Sequence, residues 1–264
     1  MLDWFSALLI GTVQGLLEWI PVSSERQTGI IMDEFMNIGP ESIIMLGLAL
    51  HIGTALAVFA RFPKPFVSFL DIRRQDGRSR FFWKITIISL ACAFPVLWTL
   101  EEIFESKQWA GMAITLVAAA GIILIGIAGE RGRMAKSREL SEAGAADALL
   151  VGVAQAFAVL PGVTRSGLTF LSLMGRKFRG IDALVFTYLL SFPVSLAAFA
   201  YTLFFSDLHG IPLPILAISA VAAFTFGYFS LTFFIRLARS SRFSRFCMFF
   251  GGLSISLVLF FQML

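Results

Sequence analysis

One short segment of the chain, residues 161–169, places a fixed positive charge, hydroxyl groups and two glycines within otherwise apolar sequence. Its arginine, Arg165, is costly at membrane depth, where arginines face a cavity or a partner far more often than lipid. Proline, glycine and hydroxyl residues at the start of a helix also leave backbone N–H groups available to an anion. The segment therefore predicts a binding site for a phosphate-bearing ligand inside a membrane.

A second segment supplies an acid. Gln14 and Glu18 are four residues apart, so they share one face of a helix, and Glu18 is the one acid in the apolar run 4–20. A buried carboxylate is costly without a partner, and Arg165 is available as that partner. Two interpretations stay open here. The pair is either a structural link between the two segments or part of a functional site, which is the more common case inside membranes.

Two serines, Ser23 and Ser24, follow the proline that ends the helix of Glu18. Ser24 and Gln27 fit a capping box, in which a serine caps the N-terminus of the next helix. A capping hydroxyl also lies where helix N–H groups attract phosphate. The spacing alone therefore allows both a capping role and a catalytic role for Ser24.

The composition is that of a membrane protein. Of the 264 residues, 58% are hydrophobic and 14% are charged, and the mean hydropathy is +0.84, which lies outside the range of ordinary soluble domains. Most basic residues fall into four groups between apolar runs, as cytoplasmic loops do. The groups lie at residues 61–84, 131–138, 176–179 and 236–245. Nucleic-acid binding also produces basic clusters, but this placement favours a membrane topology, and no nucleic-acid partner is expected.

The pattern predicts an all-α integral membrane protein with a single membrane domain over residues 1–264. A membrane span needs about 20 apolar residues, and six segments satisfy this length. The six predicted transmembrane helices lie at residues 42–60, 83–100, 110–129, 181–205, 212–235 and 246–264. Taken in order, these spans put all four basic groups on the cytoplasmic side.

Two further apolar stretches, 4–36 and 147–176, are each interrupted in the middle by proline and hydroxyl residues. Each half is too short to cross a membrane, so each stretch predicts a re-entrant helical hairpin. Broken helices at membrane depth are tolerated where they line a cavity enclosed by protein. The charge pattern makes the first hairpin enter from outside and the second from the cytoplasm. Their tips are therefore expected to meet.

The two predicted hairpins also resemble each other in sequence. The matching positions, 141 or 140 residues apart, are Gly11, Gln14 and Pro21 against Gly152, Gln155 and Pro161. Similar segments that enter from opposite sides indicate an inverted-topology repeat with a ligand site at the repeat interface. The repeats would cover about residues 1–130 and 146–264.

These motifs resemble those of the undecaprenyl-diphosphate phosphatases, the bacitracin-resistance family of integral membrane proteins. The family's first motif is Glu or Gln, three residues, Glu, and then a Pro-Val-Ser-Ser tip, and it matches residues 14–24. The second, Pro-Gly-x-Ser-Arg-Ser-x-x-Thr, matches residues 161–169 with Thr164 in place of the first serine. The segment 51–54 is also similar. The resemblance covers essentially the whole chain.

The resemblance implies an enzyme, a polyprenyl-diphosphate phosphatase. Its reaction would be the hydrolysis of undecaprenyl, or another polyprenyl, diphosphate to the monophosphate and inorganic phosphate. This reaction would recycle the lipid carrier used in peptidoglycan and other envelope glycan synthesis. The protein would be a multi-pass component of the plasma (inner) membrane, would contact the bilayer and the lipid substrate, and would open its active site toward the outer face. The resemblance also allows a homodimer.

The resemblance also implies roles for single residues. Arg165 would neutralise charge on the phosphate in the transition state, and Ser24 would be the nucleophile or a hydroxyl that positions the phosphate. Glu18 would bind a divalent cation, Mg²⁺ or Ca²⁺, or orient the nucleophile. The implied substrate-binding residues are Gln14, Ser23, Gln27, Gly162, Thr164, Ser166 and Thr169.

One position departs from the family pattern, because Gln27 stands where the family commonly has a histidine. Glutamine does not exchange a proton near neutral pH, and general acid–base help is worth about 10²–10⁴-fold. Glu18 or a metal-bound water could take over the base role, or hydrolysis could be slow. A transporter or flippase that moves polyprenyl phosphate without cleaving it is the alternative function. His51, inside a predicted span, is expected to be a hydrogen-bonded structural residue.

Overall fold

The structure, a computed structural model, describes residues 3–36, 40–71, 76–106, 108–131, 137–205 and 212–263. In these ranges the chain is helical and contains no β-strand, apart from one isolated bridge between Arg138 and Phe178. The α-helices are α1 (Trp4–Leu17), α2 (Ser24–Met36), α3 (Pro40–Arg61), α4 (Pro63–Leu70), α5 (Gly77–Ser106), α6 (Gln108–Glu130), α7 (Ala145–Ala156), α8 (Arg165–Gly175), α9 (Gly180–Phe205), α10 (Leu213–Ser240) and α11 (Phe243–Gln262). The predicted all-α class is confirmed.

Five of these helices are long and apolar enough to cross a membrane. The spanning stretches are Gly77–Val96, Trp109–Glu130, Gly180–Ala200, Leu213–Ser240 and Phe243–Gln262. They overlap five of the six predicted spans. The sixth prediction, residues 42–60, falls in α3, whose apolar part within the described side chains is Leu50–Arg61. The fold is therefore that of a multi-pass helical membrane protein.

The two predicted interruptions are present as breaks between short helices. α1 ends at Leu17 and α2 begins at Ser24, while α7 ends at Ala156 and α8 begins at Arg165. These helices have 11 to 14 residues, and at about 1.5 Å per residue each one is shorter than the roughly 30 Å hydrocarbon layer. Both breaks contain a proline, which lacks an N–H group and disfavours helix in the residue before it.

Side-chain oxygens that accept backbone N–H groups define where two of the short helices begin. The exposed carboxylate of Asp3 accepts the Ser6 N–H at 2.8 Å and caps α1, and this hydrogen bond lowers the pKa of Asp3. Thr164 Oγ1 accepts the Gly167 N–H at 3.2 Å and caps α8. In the second break, Gly162 has a φ of +78°, a conformation that glycine adopts without the penalty of a Cβ atom.

Long helices pack closely around the short ones. α1 packs against α10, α7 against α5, α3 against α9 and α10, and α6 against α11. The contact between α1 and α10 depends on glycine. A Cβ atom at Gly11 would lie 2.2 Å from the carbonyl oxygen of Ser219, and one at Gly15 would lie 2.6 Å from the backbone nitrogen of Gly227. The two backbones therefore leave no room for a side chain.

The exterior of the protein is rich in apolar side chains, and some polar side chains are buried within its largely apolar interior. Large apolar side chains such as Phe94, Val117 and Phe229 are exposed, whereas Gln14 and Thr164 are fully buried. Soluble domains seldom expose contiguous apolar surface on this scale. An apolar exterior suits a protein that is surrounded by lipid.

Replacing Gly11 by alanine is expected to destabilise the fold, because the new methyl group would collide with the backbone of α10. Overpacking of this kind costs about 1–3 kcal/mol, and thermal unfolding in detergent, followed by circular dichroism, should give a lower midpoint. Gly252→Ala is the control, because a Cβ atom there meets nothing within 4 Å and alanine favours helix. Equal midpoints for the two variants would contradict the close contact of α1 with α10.

Candidate active site

The two breaks touch each other inside the helix bundle. Ser166, in the first turn of α8, donates its hydroxyl hydrogen to the carbonyl oxygen of Ile20 at 2.9 Å. A Cβ atom at Gly167 would lie 3.1 Å from the Cβ of Pro21. The expected meeting of the two tips is therefore confirmed.

Hydrogen bonds to the long helices hold the first break in place. The indole nitrogen of Trp19 donates to the carbonyl oxygen of Gly227 at 2.8 Å, and Ser254 donates to the carbonyl oxygen of Pro21. Tyr188 donates to the carbonyl oxygen of Trp19 at 3.4 Å. The first and third contacts fix Trp19, and the second satisfies a carbonyl that has no helical partner, as irregular backbone at membrane depth requires.

A single residue of α6, Thr115, holds the second break. Its hydroxyl donates to the carbonyl oxygen of Gly162 at 2.8 Å and accepts the N–H of Thr164 at 3.0 Å. Thr115 is buried. One hydroxyl group thus satisfies both a donor and an acceptor of the turn that precedes Arg165.

The centre of the site is an ion pair between the two tips. Glu18, directly after α1, is 5% exposed, and its Oε1 accepts a hydrogen bond from the guanidinium of Arg165. The other terminal nitrogen of Arg165 donates to Ser195 Oγ on α9 at 3.1 Å. The N-terminus of α8 adds partial positive charge at the same place. The buried carboxylate therefore has the opposite charge that it needs.

The second oxygen of Glu18, Oε2, accepts two further hydrogen bonds. The donors are Gln14 Nε2 at 2.9 Å and Ser24 Oγ at 2.8 Å. The capping-box interpretation of Ser24 is wrong, because Ser24 is the first residue of α2 and its hydroxyl is directed at Glu18, while the Gln27 N–H bonds to the carbonyl of Ser23. A serine hydroxyl that donates to a carboxylate at this distance has the geometry of a nucleophile with its general base.

Two more titratable residues extend this network. His51 on α3 places Nδ1 3.7 Å from Glu18 Oε1 and 3.5 Å from Gln14 Nε2, and its Nε2 lies 2.7 Å from Glu25 Oε1. His51 is buried, whereas the side chain of Glu25 is 49% exposed. A polar chain thus runs from Ser24 through Glu18 and His51 to an accessible carboxylate.

The hydroxyl residues predicted on the second tip have partners within the protein. Thr164 caps α8, Ser166 bonds to the first tip, and Thr169 Oγ1 donates to Gln155 Oε1 at 3.2 Å. In this structure the three side chains build the tip that presents Arg165. Direct contact of these hydroxyls with phosphate oxygens stays a prediction.

A small cavity of about 10 Å³ lies next to the tips and is lined in part by Ser23, Arg26, Gln27, Thr115 and Gly162. This volume is close to the minimum that holds one water molecule. Among the described atoms, the buried Oε1 of Gln27 has no hydrogen-bond partner, so it is an acceptor free for water or a ligand. The structure therefore brings three predicted binding residues, Ser23, Gln27 and Gly162, to one cavity.

The predicted Mg²⁺ or Ca²⁺ site at Glu18 does not fit the described side chains. The carboxylate already accepts three hydrogen bonds, one of them from a guanidinium, whose positive charge would oppose a dication. These ions take several oxygen ligands, yet the described residues contain no cluster of three or more His, Cys, Asp or Glu that could hold a metal.

Sequence reasoning missed three residues of the site, Thr115, Ser195 and Glu25. A signal for Ser195 was available, since it lies 141 residues after Thr54, the same offset that relates the two predicted hairpins. Glu25 looks like an ordinary acid in the first turn of a helix, where acids are favoured. Thr115 lies in an apolar span and has no local signal.

The fold and this site define a class: multi-pass helical membrane proteins in which two broken helices bury a hydroxyl, a carboxylate and a guanidinium together. The chain matches the family model of bacitracin resistance protein BacA over residues 7–256. Proteins named undecaprenyl-diphosphatase are similar to it. The one from Methanothrix thermoacetophila is 31% identical over 261 residues, which is 97% of each chain. The one from Haloarcula marismortui is 34% identical over 262 residues, 94% of this chain and 95% of the relative. This chain belongs to the bacitracin resistance protein BacA family, as its motifs predicted.

Replacing Thr115 by valine is expected to destabilise the second tip. Valine has nearly the same shape, but it would leave the carbonyl of Gly162 and the N–H of Thr164 buried and unpaired, at about 1–3 kcal/mol each. The thermal unfolding midpoint in detergent should therefore fall. Thr225→Val is the matched control, because that hydroxyl donates to the carbonyl of Val221 within its own helix. Equal midpoints for the two variants would contradict the bridging role of Thr115.

Proposed function

We propose that this protein hydrolyses undecaprenyl diphosphate, or a similar polyprenyl diphosphate, to the monophosphate and inorganic phosphate. The reaction recycles the lipid carrier of peptidoglycan and other envelope glycans. The observation that carries the proposal is the shared carboxylate of Glu18, which contacts the Ser24 hydroxyl and the Arg165 guanidinium at once. The names of the related proteins, at 31–34% identity over nearly the whole chain, support the same chemistry.

Arg165 is the group that binds the terminal phosphate. Its planar guanidinium matches two phosphate oxygens at once, and it stabilises the negative charge that develops on them in the transition state. The entering phosphate competes with Glu18 for this cation. When the guanidinium moves to the phosphate, Glu18 Oε1 becomes free and Oε2 keeps its hydrogen bond from Ser24, so binding of the substrate prepares Glu18 to act on Ser24.

Ser24 is the nucleophile of the proposed reaction. Its Oγ bonds to the terminal phosphorus, its proton passes to Glu18, and the bridging P–O bond breaks to release the lipid monophosphate. Water then hydrolyses the phosphoserine, and the serine oxygen recovers its proton from the protein. Gln14 holds the Glu18 carboxylate in place through the hydrogen bond at 2.9 Å.

The remaining predicted residues bind and surround the phosphates. Ser23, Gln27 and Gly162 line the cavity beside the tips, and the free acceptor of Gln27 is suited to hold a water molecule next to the reacting group. Three hydroxyl residues keep the N-terminus of α8 directed at the phosphate, which favours anion binding there. They are Thr164, Ser166 and Thr169.

The proposed architecture is a single domain with six membrane spans and two re-entrant hairpins in an inverted repeat, residues 1–130 and 146–264. The packing supports it, because α1 contacts α10 in the second half as α7 contacts α5 in the first. The glycines of the sequence repeat lie at these two contacts. A Cβ atom at Gly152 would lie 2.7 Å from the Ile88 side chain, much as one at Gly11 would meet α10.

The proposed location is the plasma (inner) membrane, with the site open toward the outer face and a homodimer as an allowed assembly. The positive-inside pattern supports this orientation. An apolar groove of about 660 Å³, lined by residues of α6 and α7 and by Leu168, is suited to the prenyl chain. Leu168 is three residues beyond Arg165 in α8, so this wall of the groove and the backbone of Arg165 are about one helical turn apart.

Replacing Arg165 by lysine is expected to lower kcat/KM for phosphate release from a polyprenyl diphosphate by about 10²-fold, because lysine lacks the forked donor geometry. Thr164→Ser keeps the capping hydroxyl and should have a much smaller effect. The measurement is inorganic phosphate release by purified protein in detergent or vesicles. Equal losses for the two variants would argue against direct contact between Arg165 and phosphate.

The phosphate-release assay, combined with a measurement of polyprenyl phosphate movement across vesicles, distinguishes a phosphatase from a transporter. Phosphate release by the wild type that disappears in Arg165→Ala supports the phosphatase. Movement of a polyprenyl phosphate across vesicles without any release of phosphate would contradict the phosphatase and favour a transporter.

A further inference from the structure

The proposed reaction leaves a proton on Glu18, the buried carboxylate that also joins the two tips through Arg165. In the proposed reaction Arg165 pairs with the phosphate, so Glu18 has no cation beside it when it takes the proton of Ser24. A buried carboxylate is stable in its ionised form only with such a partner. A neighbouring base that accepts the proton from Glu18 becomes this partner.

The hydrogen bonds around His51 assign its tautomer. One N–H of the Gln14 amide donates to Glu18 Oε2 at 2.9 Å, and the amide nitrogen lies 3.5 Å from His51 Nδ1. The opposite amide orientation would place the Gln14 oxygen against the Glu18 carboxylate. Nδ1 therefore carries the lone pair, and Nε2–H donates to Glu25 Oε1 at 2.7 Å. An imidazole in this state can accept a proton on the side that faces Glu18.

The charges around His51 favour its protonated form during the reaction. Its neighbours are Glu18 on α1, Glu25 on α2 and, beyond Glu18, Arg165 on α8. No other acidic or basic residue among those described forms an ion pair with His51. With a neutral imidazole, the two carboxylates and one guanidinium carry one excess negative charge. A proton on His51 balances it.

We infer that His51, held by Glu25, stores the proton of Ser24 between the two halves of the reaction. This inference rests on the proposed phosphatase function. Glu18 passes the proton to His51 Nδ1 as the phosphoserine forms, and the imidazolium lies between two carboxylates. When water attacks the phosphoserine, the proton returns through Glu18 to the departing serine oxygen. The two hydrogens of the water leave on dihydrogen phosphate, so protons and charge balance.

In this scheme Glu25 and His51 are positioning and proton-holding residues that act through Glu18. They supply the proton chemistry that Gln27 cannot supply. The distance of 3.7 Å between His51 Nδ1 and Glu18 Oε1 is slightly beyond hydrogen-bond range, as catalytic contacts often are before the substrate binds. Movement of Arg165 toward the phosphate frees Glu18 Oε1 for this contact.

The test is the pH profile of phosphate release from a polyprenyl diphosphate by the full-length protein. His51→Gln should lower kcat/KM about 10²-fold and remove the acidic limb that arises from protonation of the imidazole. Glu25→Gln keeps a hydrogen-bond acceptor for His51 Nε2–H but removes the charge. Its acidic limb should therefore move to lower pH by about one unit, because the imidazolium loses a nearby opposite charge.

The matched control is Glu130→Gln, the same substitution at the end of α6, where the carboxylate faces Arg242 and Arg245 at 4.0 and 3.8 Å. Its profile should coincide with that of the wild type. Thermal unfolding of all variants verifies that they are folded.

A purely structural contact between His51 and Glu25 predicts a different result. Glu25→Gln would then have the wild-type profile, because the hydrogen bond is kept, and this outcome would overturn the proton-storage role while leaving the phosphatase intact. If the wild type releases no phosphate at all, the proposed function fails first, and the inference fails with it.

Discussion

A buried carboxylate that must have its charge matched governs this structure. Glu18 lies at the end of one broken helix, and its partner Arg165 lies at the start of the other. A buried charge is costly without its partner, so contact between the two breaks stabilises both. The same requirement brings Ser24 onto the second oxygen of the carboxylate. The interaction that stabilises the tips thus also brings together the proposed nucleophile, base and anion-binding group.

Buried irregular backbone needs hydrogen-bond partners, and here the long helices supply them. Thr115 serves the second tip, and Ser254 serves the first. The indole of Trp19 in turn anchors the first tip to α10. Each tip is fixed by side chains from helices that are distant in sequence. The site is therefore organised before the substrate arrives, which is the condition under which fixed charges stabilise a transition state most effectively.

The sequence could predict whatever depends on local chemistry. Proline and glycine residues predicted the two breaks. The energetic cost of a buried charge predicted that Glu18 pairs with Arg165. The sequence did not distinguish a capping role of Ser24 from a catalytic role, because both roles require a serine at this position. The role of Thr115 could not be predicted, because it contacts Gly162 of the second tip from a position 47 residues earlier in the chain. His51 was expected to be structural, because its neighbour Glu25 is brought to it only by the packing of α2 on α3.

The charges of the two tips are opposite, and the matching positions differ accordingly. The offset of 141 residues that relates Gln14 to Gln155 pairs Glu18 with Val159, and the offset of 140 that relates Pro21 to Pro161 pairs Arg165 with Glu25. Each half of the protein therefore carries one pole of the site and lacks the other. A symmetrical assembly of two first halves would bring two carboxylates together, and two second halves would bring two guanidinium groups together. The two halves are therefore not interchangeable, because each one supplies a charge that the other needs.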